Sequence, residues 1–550
     1  VSGDALESWW DLASILEAQV GRRDLVAVEA LVPSVQRLAV TVPAWEREST
    51  ATQLVNLARV VDPPLPLADL QLVLKAIIAD GQPDAWRGFG QRFGLALSGG
   101  GFRASLFHLG VLARFAELDV LRKVEVLSCV SGGSIVGASY YAALAHLVEN
   151  NHDTDITRDD VSATLATCMD VFTSGVGERN IRTRAFFGLA TLVRARAFSR
   201  TKRAGLLFVD HLIRPLRPTG QFDNLDGLKI IPKGRVTFRP KCDNWNRATQ
   251  VPTLLLNATS LGTGRPWRFS ATSLGEPDEV DSQVDPIAQL SPIWLDRNVP
   301  PAARLPTVGD AVAASACVPA LFPPLRVKGL YQDRTVSLVD GGVFDNQGVT
   351  GLLEHDCTAV FVSDASGLMP EIIRPSRLVP KVLLRVNSVL MSTVRTISAS
   401  GTNNAARTGQ VRNSWHIHLL EGLAPQRIDP IGATPQARRV ETAPWTAIPA
   451  DVQRAVAALR TDLDRFTIAE AWTLMACGYR LTTHALAARP HPLATEPREI
   501  AWGFRAIDPW IDDPTLRSRL LPELQRGRKL FFKWFPFGRR PLSRTVIESR

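Results

Sequence analysis

The chain has 550 residues, 45% of them hydrophobic, and no apolar run approaches the roughly 18 residues that a membrane-spanning helix needs. These features exclude a helical membrane protein and predict a large soluble protein of more than one domain. The formal net charge is +9, and the six cysteines lie far apart without C-x-x-C pairs. This spacing argues against a metal site or a disulfide framework and predicts buried thiols in a reducing compartment, the cytoplasm.

Residues 1–90 carry apolar residues at helical spacing, for example Trp9, Ala13 and Leu16, and the pattern is broken at the proline-rich run 63–66. We expect this segment to be a helical N-terminal extension.

The first buried strand is predicted at Arg92–Leu97, and Gly99, Gly100 and Gly101 separate it from a helix. Consecutive glycines between a strand and a helix leave backbone N–H groups unshielded, a geometry that binds phosphate or an oxyanion. A nucleotide-binding loop is disfavoured because neither G-K-[ST] nor G-x-G-x-x-G is present. A purely structural turn, with Arg103 simply solvated, stays open as the alternative.

A second strand, Val126–Val130, leads directly into Ser131, Gly132 and Gly133 and then into a helix. This is the order of a nucleophile elbow, in which a strained serine at a sharp strand-to-helix turn needs small neighbours. The G-x-S-x-G pattern fails at its first glycine, which is Cys129, but cysteine is small enough to preserve the turn. The helix N-terminus favours negative charge developing at the serine. The alternative is a tight strand–helix connection without a catalytic role.

A third motif, Asp340, Gly341 and Gly342, follows a strand at Thr335–Val339. Asp340 is thereby placed at the carboxyl end of a strand, where open α/β sheets hold their sites. An ionised aspartate can accept a proton from a serine hydroxyl. The alternative is a turn aspartate that caps its own backbone.

Further strands are predicted at 253–259 and 358–364, and Asp364 at the end of the latter is interpreted as structural. Alternating apolar strands and helices between Phe93 and about Ser366 predict an α/β fold with a largely parallel sheet and helices on both faces.

These motifs resemble those of the patatin-like phospholipase family: G-G-G-x-R at 99–103, the elbow at Ser131 and D-G-G at 340–342, in the family's order. The segment Ala314–Pro324 resembles the family's A-S-x-A-x-P-x-x-F-P-P stretch. The resemblance covers about residues 93–367 and implies a three-layer α/β/α patatin-like fold.

Four regions are expected from the resemblance, which is to bacterial-type members with extensions at both ends. They are a helical N-terminal extension at 1–90, a patatin-like catalytic core at 91–367, an extension packed on the core at 368–480, and a C-terminal segment with a basic aromatic tail at 481–550.

The resemblance implies a serine lipid acyl hydrolase of the phospholipase A or lysophospholipase type, without a metal or cofactor. Ser131 would attack the ester carbonyl of a phospholipid or another lipid, and Asp340 would be the general base of a Ser–Asp dyad. The family's oxyanion hole maps onto Gly99, Gly100, Gly101 and Arg103, and its elbow onto Cys129, Gly132 and Gly133. A catalytically silent member that binds membranes or a partner is the alternative.

A hydrolase with a histidine base is the rival mechanism. The candidate bases, which all follow the serine and lie outside recognisable motifs, are His355, His416, His418, His484 and His491. His108, on the apolar side of the helix after Arg103, is predicted to be a packing residue rather than a base.

The positive charge is local. Residues 179–209 hold eight basic and no acidic residues, and residues 524–550 hold eight basic and one acidic residue. Aromatic residues interleave both stretches, which suits an anionic bilayer surface, and we expect peripheral membrane contact there. Nucleic acid is disfavoured because no nucleic-acid-binding module is present. A disordered tail in an arginine-rich protein is the plain alternative.

Overall fold

The computed structural model of the protein describes residues 8–63, 65–78, 92–178, 199–244, 247–277, 288–301, 303–319, 321–367, 371–423, 447–461, 463–528 and 542–549. Within these ranges the helices are α1 (Trp9–Gly21), α2 (Leu25–Ala30), α3 (Val32–Ala39), α4 (Ala44–Val60), α5 (Gln71–Ile78), α6 (Gly101–Glu117), α7 (Gly132–Asn150), α8 (Arg158–Glu178), α9 (Arg200–Phe208), α10 (Pro240–Asp243), α11 (Val308–Ser315), α12 (Val349–Glu354), α13 (Val379–Arg407), α14 (Ala450–Ala457), α15 (Ile468–Ala488), α16 (Asp508–Asp512), α17 (Pro514–Gly527) and α18 (Arg544–Glu548). The strands are β1 (Phe93–Leu97), β2 (Val126–Val130), β3 (Thr253–Ser260), β4 (Pro266–Phe269), β5 (Ser273–Gly275), β6 (Ile293–Trp294), β7 (Leu325–Tyr331), β8 (Arg334–Asp340), β9 (Ala359–Asp364) and β10 (Asn413–His418).

A single sheet with the order β10-β9-β1-β2-β3-β4-β5-β6 forms the centre of the molecule. Strands β10, β9, β1, β2 and β3 are parallel to one another, and antiparallel strands are added beyond β3. The central strands are buried on both sides, which explains why they read as continuous apolar runs.

Helices cover both faces of this sheet. Leu95 and Leu127 belong to the hydrophobic cluster that includes α6 and α7, whereas their neighbours Ala96 and Val126 belong to a second cluster with α12 and α13. This alternation is the period-two pattern of a strand between two layers. The predicted three-layer α/β/α fold with a mostly parallel central sheet is therefore confirmed.

Asp340 reaches the carboxyl edge of the parallel strands on a strand that runs in the opposite direction. Strand β3 extends past its last pairing with β2 at Asn257, and this extension pairs with β8 so that Ala258 lies opposite Asp340. The sheet edge expected for Asp340 is thus correct, but β8 is antiparallel to its neighbour rather than part of the parallel set.

The N-terminal residues form helices α1 to α5, as predicted, and these helices share a hydrophobic cluster of their own that includes Leu12, Leu16, Val35 and Leu54. No helix in the described ranges is both long and apolar enough to cross a membrane.

The C-terminal helices pack on the sheet's helical layer. Helix α15 lies against α6, and the Tyr479 hydroxyl donates a hydrogen bond of 2.7 Å to Glu117. Because α15 runs through residue 480, the region limit expected there does not coincide with a break in the structure. The four-region division stays a proposal.

The basic stretches lie largely outside the described residues, including positions 179–198 and the aromatic part of the C-terminal stretch, 529–541. The described ends of the latter are not a free tail, because Leu524 of α17 and Ile547 of α18 are fully buried. This burial argues against the alternative of a disordered tail at the described ends, and membrane contact by the stretch stays a prediction.

The cysteines Cys129, Cys168, Cys317, Cys357 and Cys477 are buried free thiols, as predicted; the Cys242 side chain lies outside the described part.

Candidate active site

Ser131 stands alone at the turn between β2 and α7, with φ 50° and ψ −116°. A positive φ is strained for a residue with a side chain, and such strain is typical of a nucleophile elbow. The side chain is 5% exposed, and the backbone N–H donates a hydrogen bond of 3.0 Å to Oγ of Ser315. Ser131 therefore has the backbone geometry predicted for a serine nucleophile.

Ser315 is a site residue that the sequence reasoning quoted without assigning a role. Its hydroxyl donates to the carbonyl of Asn257 at 2.5 Å, and its Oγ is 2.7 Å from Oγ of Ser134. Since the single proton of Ser315 goes to a carbonyl that can only accept, Ser134 donates to Ser315. These hydrogen bonds connect the strained turn to β3. The sequence pointed to Ser315 only through its place in the segment Ala314–Pro324, which resembles a stretch of the family.

Gly132 and Gly133 allow α7 to begin against the glycine loop. A Cβ placed on Gly132 would lie 2.0 Å from the carbonyl oxygen of Gly101, and one on Gly133 would lie 2.2 Å from that of Leu97. No side chain fits at either position, because both neighbours are backbone atoms. These two close approaches explain why the elbow requires glycine at positions 132 and 133.

Cys129 occupies the first small position of the elbow and is fully buried. Its Sγ packs against Gly137 of α7, which has no side chain; a Cβ on Gly137 would be 2.3 Å from this sulfur. Burial raises the pKa of the thiol, which therefore stays protonated. The thiol fills space between strand and helix.

The glycine loop offers two unpaired amides. The N–H of Gly99 donates to the carbonyl of Asn346 at 2.9 Å, whereas those of Gly100 and Gly101 have no acceptor among the described residues. Gly100 has a φ of 139°, which only glycine adopts readily. Of the three glycines expected to form an oxyanion hole, Gly100 and Gly101 thus have amides available.

Arg103 packs beside this loop, where a Cβ on Gly100 would be 3.3 Å from its Nη2. Its guanidinium donates to the carbonyls of Leu459 at 2.9 Å and Ala365 at 3.2 Å, and the side chain is 4% exposed. Burial lowers its pKa to about 10. The solvated alternative for Arg103 is therefore wrong, and its contacts make it a positioning residue that holds the glycine loop against later parts of the chain.

Asp340 is buried beside the elbow. Its Oδ1 accepts a hydrogen bond of 2.8 Å from the N–H of Gly342. The alternative interpretation, an aspartate that caps its own turn, is therefore correct for this one oxygen. Oδ2 is buried, and no described residue offers it a well-formed hydrogen bond. Burial raises the pKa of Asp340 to about 7, against the opposing effects of the Gly342 amide and the Ser131 hydroxyl. The Ser131 side chain is thus near this carboxylate, and its hydroxyl favours the ionised form.

Asn346 joins the two loops and was not predicted. Its Oδ1 would be 2.4 Å from a Cβ on Gly99 and 2.5 Å from one on Gly342, and its Nδ2 donates to Oγ of Ser366 at 2.9 Å. With its carbonyl on the Gly99 amide, Asn346 holds the glycine loop next to the Asp340 loop. In the sequence, only its position just after the D-G-G motif indicates that Asn346 could belong to the site.

No histidine is hydrogen-bonded to Ser131 or Asp340 among the described residues. His108 is fully buried, with Nε2 3.0 Å from the carbonyl of Ser98 and Nδ1 2.8 Å from the hydroxyl of Ser363. The carbonyl requires a donor, so Nε2 carries the proton and Nδ1 accepts. Burial lowers the pKa of His108 to about 4, and its predicted packing role is confirmed.

Two of the remaining histidines, His416 and His418, lie around Asp364 at the end of β9. Asp364 is fully buried and accepts from the Ser366 amide and the Gln347 side chain at 2.8 and 2.9 Å. These bonds agree with a structural role for Asp364. Within the described ranges, no group of three or more metal-ligating side chains could hold an ion.

Residues 95–353 match the family model for patatin-like phospholipases. The chain carries a patatin-like phospholipase domain. Ser131, the glycine loop and Asp340 all lie inside this patatin-like domain, whereas Leu459, the acceptor of Arg103, lies beyond it.

No curated protein matches the chain. Among solved structures, human GIVD cytosolic phospholipase A2 is similar over 60% of this chain and 50% of its own, at 12% identity and a TM-score of 0.32. Its complex with methyl gamma-linolenyl fluorophosphonate inhibitor and terbium chloride is similar over 60% and 45%, at 15% identity and a TM-score of 0.27. The chain spans about half the length of these structures.

Proposed function

We propose that the protein is a serine lipid acyl hydrolase in which Ser131 and Asp340 form the catalytic dyad. The observation that carries the proposal is the strained Ser131 next to a buried carboxylate whose Oδ2 has no other described partner. The substrate class, a phospholipid or another lipid ester, is inferred from the patatin-like domain.

In the first step, Oγ of Ser131 attacks the ester carbonyl while Asp340 takes the hydroxyl proton. The negative charge moves to the carbonyl oxygen, which the amides of Gly100 and Gly101 can stabilise together with the N-terminal ends of α6 and α7. Asp340 then returns the proton to the leaving alcohol, and an acyl–enzyme ester remains on Ser131.

In the second step, water attacks the acyl–enzyme while Asp340 takes one of its protons; the bond to Oγ of Ser131 then breaks, Asp340 returns the proton to Oγ, and the free acid leaves. The raised pKa of Asp340, about 7, suits this role, because a carboxylate with that pKa is a stronger base than an exposed one and is still substantially ionised at neutral pH.

The proposal is tested by turnover of a chromogenic short-chain ester. We expect Ser131→Ala to lower kcat/KM to below about a hundredth of the wild-type value, since only binding and oxyanion stabilisation remain. Ser139→Ala is the matched control, because Ser139 is a buried serine of α7 whose hydroxyl bonds to its own helix at Ile135. An active Ser131→Ala variant contradicts the dyad, and an inactive wild-type protein supports the silent alternative.

A further inference from the structure

Exposed apolar side chains are concentrated in one segment. Of the 20 large hydrophobic side chains that are exposed among the described residues, ten lie between Ile372 and Ile397. We call residues 371–397 the apolar arm; it comprises a leading segment and the first part of α13. Ile373 is 87% exposed and Leu383 is 62% exposed. Such density is unusual for a surface without a partner.

The apolar residues of the arm follow the helix period. Val379, Val382, Leu383, Val386 and Leu390 are exposed and spaced three or four residues apart. This spacing places them along one side of α13. The arm therefore presents a continuous apolar stripe rather than scattered side chains.

The far end of the arm lies at the candidate active site. The Met391 methyl group would be 3.0 Å from a Cβ on Gly342, the glycine whose amide bonds to Asp340. Directly after the arm, the Ser398 hydroxyl donates to Asp345 at 3.2 Å, and farther along α13 Ala405 is buried in the sheet cluster. Whatever covers the stripe is thus brought next to the catalytic loop.

The arm is also cationic. Residues 371–397 contain five basic residues and one acid, Glu371, a net charge of +4. Arg374, Arg377, Lys381 and Arg385 make no salt bridge with a described residue. Apolar stripes flanked by unpaired cations fit an anionic bilayer, where side chains enter the headgroup zone and cations meet phosphates. A second copy of the chain is disfavoured because two arms of +4 would repel each other.

We propose that the apolar arm is the surface by which the protein docks on an anionic lipid bilayer. The inference adds a docking surface to the proposed function, on which it rests for the idea that lipid esters are drawn from that bilayer. Docking through the arm brings the membrane surface to the side of the molecule where Met391 borders the Asp340 loop.

Vesicle sedimentation with the full-length Ser131→Ala protein tests this without consuming lipid. The probes are vesicles of phosphatidylcholine with phosphatidylglycerol and vesicles of phosphatidylcholine alone. We expect Leu383→Ser/Leu390→Ser to weaken binding by at least about tenfold, since each leucine loses apolar burial in the bilayer. The control is Val236→Ser/Leu261→Ser, two residues that are 91% and 54% exposed elsewhere, and it should bind like the parent.

The charge contribution is tested by Arg377→Gln/Lys381→Gln. Binding to the anionic vesicles should weaken and lose part of its salt dependence, while the weak binding to phosphatidylcholine alone stays unchanged. Equal salt dependence in parent and variant overturns the role of these cations.

Soluble-ester turnover separates the two proposals. In a protein that keeps the native Ser131, Leu383→Ser/Leu390→Ser should hydrolyse a soluble ester like the wild type, because neither residue touches the dyad. If the wild type is inactive but its vesicle binding depends on the arm, docking stands and the proposed function fails. Unchanged vesicle binding by the leucine variant overturns docking, as does a dimer that this variant dissociates while vesicle binding persists.

Discussion

Asp340 combines burial with a proposed chemical role that requires its charge. Its carboxylate is 1% exposed and has one backbone amide and the Ser131 side chain as neighbours that favour ionisation. Desolvation outweighs both and raises the pKa to about 7. The same residue therefore governs both the pH dependence of activity and part of the pH dependence of stability.

The pH dependence of activity follows from the base role. Asp340 must be ionised to accept the Ser131 proton, so kcat/KM for a soluble neutral ester should rise with pH through an apparent pKa near 7. An exposed aspartate, with a pKa near 3.9, would give a profile that is flat above about pH 5. A flat profile between pH 5 and 8 would contradict a general base with a pKa near 7.

The stability of the folded protein should depend on pH in the opposite direction from activity, because of the same carboxylate. Because the pKa is raised in the folded state, the folded protein binds this proton more tightly, and stability is lost as pH rises toward and through about 7. The cost is about 1.4 kcal/mol per pKa unit at most. Asp340→Asn should thus raise the melting temperature relative to wild type at pH 8 and have a smaller effect at pH 5. A lower melting temperature of Asp340→Asn than of wild type at pH 8 would contradict this expectation, because it would mean that the surroundings of Asp340 stabilise its negative charge.

At the scale of elements, β2 and α7 meet through the pair Cys129 and Gly137. A Cβ on Gly137 would be 2.3 Å from Sγ of Cys129 but 3.4 Å from its Cβ. The departure from the glycine of the family motif is therefore accommodated by a glycine one turn into the following helix.

A double-mutant cycle measures this compensation. Gly137→Ala should destabilise the protein and lower ester turnover, whereas Gly137→Ala in a Cys129→Ala background should recover most of both, because the clashing sulfur is gone. Cys129→Gly should keep most activity and Cys129→Leu should lose it. Additive effects of the two alanine substitutions, measured by thermal unfolding, would contradict direct packing of the pair.

The motifs around Ser131 and Asp340 were predictable because each is local: a strand, a turn residue and glycines within about ten positions. Arg103 was not, since its acceptors Ala365 and Leu459 lie hundreds of residues later and no local pattern indicates a buried guanidinium. The same holds for Asn346, whose carbonyl meets Gly99 only in the folded chain.

Across the whole molecule, the sequence indicated the sheet and its layers but not the direction of β8. A short strand's pattern carries no information about its direction, and only the overhang of β3 decides it. In the C-terminal stretch the charges are evident from the sequence, but the burial of Leu524 and Ile547 was not predicted because it depends on distant partners. Membrane contact by the aromatic residues there stays a prediction. Trp534→Ala/Phe535→Ala tests it without removing the buried helices that a deletion from residue 524 would lose.

The central claim is that Ser131 is the nucleophile and that Asp340 activates it. The most direct measurement is mass spectrometry of the full-length protein after reaction with a fluorophosphonate, which traps an activated serine as a covalent phosphonyl ester. The account predicts a single adduct on the peptide that contains Ser131, strongly slowed labelling in Asp340→Asn, and unchanged labelling in the control Ser139→Ala. An adduct on another serine, or equally fast labelling of Ser131 in Asp340→Asn, would contradict it.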